Sequence, residues 1–411
     1  MTHRHRSIGL AAAALAVGAA LAVGLLGAAA PKPPANGAVI DAAKYPNLQA
    51  ALDAVPEGGG LVKLPPGNFE LTEPLVLSHA ETRVVGAGAA THLINRNEQG
   101  KPALIVRPRD LDSNRRAWLW RVQLAHFRIS GNPKSGDGLL AQHINEIFLH
   151  GLSIDHNGGN GITLVSCLED ARIADSILTY NKLAGLNILG GHDVVVSANQ
   201  FEENQDALRF INGFNLCMTG NCIDDHLRHG VVIENTYGSV VSGNMIEECR
   251  GTAIVLDRDC YGIALSANVV AHNTGGGVDL RDGWGCAVSA NTFVLSIAHG
   301  VAISGNSGRI AVTGNTFCNS HIGGKLRRVK AGQDTARGIV LDGTSDITVT
   351  GNTFTGLAES AVKATGECTR LVLSANAMAD LSRSAPGKHP PLALGSAHVV
   401  AGTNAIEGRD R

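Results

Sequence analysis

Charge concentrates between residues 206 and 282, where ten residues stand out by their place in a repeated pattern: Asp206, Arg209, Arg228, His229, Glu234, Asp257, Arg258, Asp279, Arg281 and Asp282. Glu234 and Asp257 stand 23 residues apart, and Arg281 follows 24 later. Two carboxylates brought close together hold Ca²⁺, with Asp282 nearby, or share one proton between them. With arginine alongside, they neutralise a sugar carboxylate and acidify its C5 proton for a basic residue, which is what β-elimination of a uronate needs. A carboxylate pair alone suits glycosidic hydrolysis, its spacing deciding the stereochemistry. A plain cross-strand salt-bridge ladder would use the same residues, because their signs alternate. The catalytic candidates are Asp206, His229, Asp257, Asp279 and Arg281. Arg209, Arg228 and Arg258 are placed to meet an anionic substrate, and Glu234, Asp257 and Asp282 are the residues for a calcium ion if one binds. A second basic group, Lys325, Arg327 and Arg328, lies in NSHIGGKLRRVKAGQDTARG (319–338). It reads as a lip that grips a polyanion, or as a solvated loop.

What must position these residues is a repeat. A Ser/Thr–Gly/Ala–Asn tripeptide ends at Asn199, Asn221, Asn244, Asn268, Asn291, Asn315, Asn352 and Asn376. A second phrase, Gly/Ala–apolar–x–apolar, starts at Gly138, Gly161, Gly185, Ala207, Gly230, Ala253, Gly277, Gly300, Gly338 and Ala361. Both recur every 22–24 residues, and both jump by 37 or 38 at the same place, so an insertion of about 15 residues, near 319–335, interrupts one register common to both. Runs such as VVVSAN and GVVIEN alternate strictly and are too short for helices. A unit of this length cannot bury its own apolar face, whereas stacked copies can. The prediction is an all-β coil, one turn per repeat and about 4.8 Å between turns, with Val, Ile and Leu in internal ladders and the repeated Asn stacked at a bend. Outward positions then form columns: Asp206 and His229 in one, Arg209 and Asp279 in a second, and Glu234, Asp257 and Arg281 in a third.

Before the coil, YPNLQAALDAV (45–55) reads as a short amphipathic helix able to plug the open end, with 31–60 forming an N-terminal cap. The coil is expected over 61–383, with an irregular excursion at 96–120 and a terminal cap or tail at 384–411. Residues 1–30 read as a signal peptide: basic MTHRHR, then an uncharged apolar stretch ending Ala28-Ala29-Ala30, with an uncleaved anchor as the alternative. No later segment is long and apolar enough to span a bilayer. Removing the signal leaves 32 basic and 36 acidic residues, so no global positive field recruits nucleic acid. The 8 cysteines show neither a disulfide framework nor a metal motif.

These phrases resemble the right-handed parallel β-helix superfamily, the pectate-lyase-like fold, over roughly residues 38–380. YPNLQAALDAVPEGGGLVKLPPGNFELTEPLVL and VVGAGAATHLI are similar to its N-terminal cap and first rungs, and the later repeats to its generic rung. NQDALRFIN (204–212) and RHGVVIEN (228–235) resemble family-28 glycoside hydrolases, with Asp206 and His229 at matching positions. Ala207 replaces that family's second Asp and Arg228 its Gly, and KLAGLNI and GTAIVLD lack its flanking motifs. SIDHNG (153–158) lacks the Asp-Pro-His-Asp of the alginate epimerases. The resemblance implies a single-stranded right-handed β-helix of about ten or eleven rungs with a capping helix, secreted or periplasmic and monomeric. It also implies action on an extracellular, anionic, uronate-type polysaccharide by lyase or hydrolase chemistry. The alternative it leaves open is a non-catalytic carbohydrate-binding, surface or periplasmic accessory protein.

Overall fold

A computed structural model describes residues 37–319 and 335–407. The expected signal peptide (1–30) and Lys325, Arg327 and Arg328 of the insertion lie outside the described residues. The chain winds as a parallel β-helix of the right-handed type through three sheets, here B, C and A in the order the chain visits them. One coil runs Val269–Ala271 in sheet B, Gly276–Leu280 in sheet C, and Gly283–Trp284 with Ala287–Ser289 in sheet A. The next coil, Thr292–Val294, His299–Ile303 and Gly308–Thr313, pairs with it in parallel at every sheet.

Sheet B alone has 14 strands, more than the ten or eleven rungs expected. The difference arises at the two ends. The Gly and Asn phrases begin only near residue 138, but strands such as Gly67–Leu71 and Leu75–Leu77 already pair in register without them. After residue 383, Leu392–Ala393, Val399–Ala401 and Ala405–Ile406 add a further coil. A loop between strands Leu104–Val106 and Leu119–Trp120 occupies the later part of the expected excursion. Near the N-terminus a helix covers Leu48–Asp53, shorter than the 45–55 span because Asn47 caps it, its side chain accepting from the Ala50 N–H at 2.8 Å. Leu48, Ala51 and Leu52 are buried, and Gln49 bonds both backbone groups of Val76 on the first sheet C strand.

Inside the coil, equivalent apolar residues stack. Ile233, Leu256, Leu280, Ile303 and Leu341 follow one another in register and are all buried. Each contributes about 1.5–3 kcal/mol of burial. Phe293, Phe317 and Phe354 stack with ring centroids 4.7 Å apart. The repeat glycines Gly277, Gly300 and Gly338 lie against these rings, where a Cβ would collide.

Polar order sits at the corners. Along Asn199, Asn221, Asn244, Asn268, Asn291, Asn315, Asn352, Asn376 and Asn404, each backbone N–H donates to the next side-chain oxygen at 2.9–3.0 Å. The ladder crosses the insertion without a break, Asn315 N–H meeting Asn352 Oδ1 at 2.9 Å. A second ladder, not evident from the tripeptide, occupies the corner between sheets B and C. There the Asn157 N–H donates to Asn181 and the Asn181 N–H to Asn204. His226 and Cys249 then take two positions before Asn273 accepts from the Cys249 N–H. All eight cysteines are free thiols, and five are buried.

Two predictions follow from the corners. Asn244 donates its amide to the carbonyls of Met218 and Ser242 and to Asn268 Oδ1, and its Oδ1 accepts from Asn221. Asn244→Ala strands these buried partners and is expected to cost about 1–3 kcal/mol in chemical denaturation. His226 is fully buried, and burial lowers its pKa to about 4. Below the ordinary histidine value the unfolded chain binds a proton that the native ring refuses, so stability falls as pH drops from 6.5 to about 4, by roughly 3 kcal/mol. His226→Asn, which restores the ladder residue, is expected to shrink the loss of melting temperature over that range.

Candidate functional site on the outward face of sheet C

The sheet register places the expected columns side by side. Asn187, Arg209, Val232, Val255, Asp279 and Ala302 are successive partners. Ile211, Glu234 and Asp257 form the next column, which Arg281 continues through its N–H bond to Leu256. Val232 and Val255 are a buried apolar floor between the charged columns. Strand alternation sends these positions outward, and the coil corner just before each strand delivers Arg228–His229, Gly251–Thr252 and His299 beside them.

One polar network joins five rungs. Asp206 accepts from Arg228 Nε at 2.8 Å and from the His229 N–H at 3.0 Å. His229 Nδ1 accepts the Thr252 N–H at 3.0 Å. Thr252 Oγ1 donates to Asp279 Oδ2 at 2.9 Å, and Arg281 reaches the same oxygen at 3.1 Å. His299 Nε2 lies 2.6 Å from Asp279 Oδ1. Burial pushes the Asp279 carboxyl up, but its bonds from His299, Thr252 and Arg281 outweigh burial and hold it below the usual carboxylate range. Burial lowers the His229 pKa, Asp206 opposes that, and Arg281 and Arg228 add to it.

The expected residues divide. His229, Asp279 and Arg281 come together in this network, and Arg228 is tied in through Asp206. Asp206, expected as a catalytic acid, has no exposed side-chain surface, because Arg228 and the His229 amide cover its oxygens. It is a buried anchor that cannot touch a substrate. Arg209 and Arg258 both turn to Glu234, Arg209 at 3.7 Å. Asp257 accepts the Arg258 N–H and lies 3.8 Å from Arg281, while Asp282 accepts the Asp259 N–H. The expected calcium trio Glu234, Asp257 and Asp282 therefore does not converge; neighbouring cations and amides occupy its oxygens. Thr252 and His299, not among the chosen candidates, bind the network. Their signal was present in the column Asp206, His229, Thr252, Gly276, His299, which the repeat aligns.

Among the described residues, two groups bring three ligand atoms within 4.8 Å of one another: Glu247, Glu248 and His272, and Asp224, Asp225 and Glu248. They lie at the ends of the sheet B strands Cys222–Asp224 and Met245–Glu247, where the chain turns toward sheet C. Burial first, then Asp225, Glu247 and Glu202, raise the Asp224 pKa.

The buried Asp206 pair generates a prediction. Asp206→Ala removes both anchors of the Arg228–His229 corner and is expected to lower stability by about 2–3 kcal/mol in urea unfolding. Arg228→Ala, which deletes the half-exposed partner, is expected to leave the His229 amide bond and to cost less.

Comparison with known proteins places the fold. Residues 169–366, just under half of the chain, match the profile of the family described as "Periplasmic copper-binding protein (NosD)". No curated protein matches the chain in sequence. Among solved structures it is similar to the DFA-IIIase of Arthrobacter chlorophenolicus A6 in complex with GF2, at TM-score 0.55 and 13% identity, covering 76% of this chain and 94% of that one. The Dettilon tailspike protein gp208 is similar at TM-score 0.55 and 14% identity, over 88% and 68%. The catalytic unit of a GH87 alpha-1,3-glucanase from Streptomyces thermodiastaticus strain HF3-3 is similar at 0.51 and 14%, over 93% and 71%. At these identities the likeness is one of fold. The copper of the family description does not fit the described residues: the ligand groups are carboxylates with one imidazole, whereas copper favours several imidazoles or sulfur. Burial pushes the thiols of Cys167, Cys249 and Cys260 up to about 12, which keeps them protonated and poor ligands. The chain is a parallel β-helix whose central and later coils are similar to the NosD family.

Proposed function

We propose that this is an exported β-helix protein that acts on an extracellular, anionic polysaccharide laid along sheet C, by lyase or hydrolase chemistry. The observation that carries the reading is the five-rung network from Asp206 to His299. It holds Arg281 and Arg228 at the coil corners beside an ionised Asp279 and a neutral His229, each fixed by its hydrogen bonds. Arginines held in this way are preorganised to neutralise uronate carboxylates as the chain passes from rung to rung. The likeness of fold to an alpha-1,3-glucanase supports a carbohydrate partner. Secreted or periplasmic location agrees with the basic-apolar stretch 1–30 and with the periplasmic family that residues 169–366 match. The helix Leu48–Asp53 is read as the N-terminal cap, on the ground that Gln49 fills the backbone groups of Val76. The basic lip Lys325, Arg327 and Arg328 is read as a second grip on the polymer. A second reading, a non-catalytic periplasmic accessory protein, is favoured by the NosD match itself.

A paired measurement separates these readings. Asp257 and Arg281 are partly exposed and 3.8 Å apart, a pair worth less than about 1 kcal/mol, and Thr252 and His299 still hold Asp279 when Arg281 is removed. Asp257→Asn and Arg281→Ala are expected to keep the wild-type melting temperature while losing turnover or retention of polygalacturonate or polymannuronate. Turnover is read as unsaturated uronate and as new reducing ends, and retention on immobilised polymer. Retention without turnover supports the accessory reading. Early melting of both variants shows a structural salt-bridge ladder instead.

A further inference from the structure

The two histidines of the network have ring protons fixed by their partners. The Thr252 backbone N–H is a donor only, so His229 Nδ1 must offer a lone pair and the ring proton stays on Nε2. Protonating that nitrogen would set two N–H groups against each other. Asp279 takes donors from Thr252, Arg281 and His299 and is ionised, so His299 carries its proton on Nε2, toward Asp279. The two rings thus share a tautomer but present opposite atoms. His229 presents an N–H and His299 presents the lone pair of Nδ1, and neither outer nitrogen has a hydrogen-bond partner among the described residues.

Glycines let the rings lean toward each other. Gly276, at φ 133°, lies in the column between Thr252 and His299, and a Cβ there would collide with the His299 ring. A Cβ on Gly251 would stand 2.6 Å from His229 Nδ1. His229 therefore leans onto the following rung and His299 onto the preceding one, with Arg281 reaching Asp279 between them. Thr252 ties the halves, its N–H on His229 and its hydroxyl on Asp279. Around His299 the facing charges are Asp279, and Arg337 one rung on, which Glu359 holds at 2.7 Å. Around His229 they are Asp206, Arg228, Arg281 and Asp279.

We propose that His299 is the proton-transferring base, and His229 with Arg281 the electrophilic clamp, for β-elimination of a uronate bound across these rungs. The proposal rests on the polysaccharide reading above. Nδ1 of His299 takes the C5 proton, and the C–H electron pair moves into the carboxylate as an enolate. The enolate oxygens are met by the His229 Nε2–H, a neutral imidazole used as a hydrogen-bond donor, and by the Arg281 guanidinium. The pair returns to form C4=C5 as the C4–O4 bond breaks, and His299 gives its proton to the departing O4. Protein charge is restored, leaving one unsaturated uronate end and one hydroxyl. Asp279 is a positioning residue that orients His299 and stabilises its imidazolium.

Two variants isolate the atoms. His299→Gln keeps a nitrogen donor for Asp279 and removes the Nδ1 lone pair. His229→Asn keeps an acceptor for the Thr252 N–H and removes the Nε2–H. Full-length protein is assayed on polygalacturonate, polymannuronate and polyguluronate for unsaturated ends and, in D₂O, for exchange at C5. His299→Gln is expected to lose both elimination and exchange by about 10²–10⁴-fold with polymer retention unchanged. His229→Asn is expected to lower kcat by about 10²–10³-fold. Nitrogen NMR of the wild type is expected to show His229 neutral, with its proton on Nε2, to a lower pH than free imidazole. If the wild type eliminates and both variants stay within about tenfold, the histidine assignment falls and the polysaccharide reading stands. If the wild type retains polymer without elimination or exchange, the assignment falls and a binding role remains. If it neither retains nor cleaves any of the three, both fall.

Discussion

Vertical hydrogen bonding between successive coils, at a fixed parallel register, is the constraint on which the remaining structure depends. It brings each residue within one rung spacing of its counterpart and so turns a repeat in sequence into columns in space. Interior columns become apolar ladders such as Ile233 to Leu341, and corner columns become amide ladders. The step from Asn315 to Asn352 shows how firmly the register holds, since the ladder bond has its usual length although the two stand 37 positions apart. Loop length costs little entropy beside the bonds the register preserves.

Outward columns escape this uniformity, and there charge is free to vary from rung to rung. On sheet C the variation is concentrated into one connected network. Its electrostatics depend on a division of labour between depth and exposure. Asp206 is sealed and fixes a corner, Asp279 is half-buried and ionised by its three donors, and Arg281 is at the surface. A carboxylate held by three fixed donors changes little when a ligand arrives, so the field it presents is set in advance of binding.

Most of the coil was legible because period and alternation report directly on stacking. The columns derived from Gly-apolar-x-apolar phrases coincide with the strand register from Leu140 to Val340. The number of coils was not legible, because the first strands pair without the repeat's Gly and Asn and the last coil, which carries Asn404, lies beyond the point where the Gly-apolar-x-apolar phrase ends. The second amide ladder was hidden because its asparagines, at 157, 181, 204 and 273, lack a constant tripeptide and are interrupted by His226 and Cys249. Spacing also could not tell depth. Asp206 and Asp279 look alike in sequence, but only the coordinates show that Arg228 closes over the first while Thr252 and His299 leave the second at the surface of the network. The calcium trio failed for a related reason: adjacency in a column does not say which way a carboxylate turns when an arginine stands beside it.

The interruption of the second ladder has a mechanical consequence. An asparagine amide bonded above and below fixes both the rise and the tilt between two coils. Where an imidazole and a thiol stand instead, main-chain bonds at the same corner, Leu227 N–H to Asn204 O and Arg250 N–H to His226 O, both at 2.9 Å, hold the rungs. The two replaced positions come immediately before Arg228–His229 and Gly251–Thr252, at the corner that presents the charged face. The coil thus loses part of its side-chain clamp at the corner from which the charged face of sheet C is presented, while the Asn221–Asn244–Asn268 ladder continues through the same rungs at the other corner.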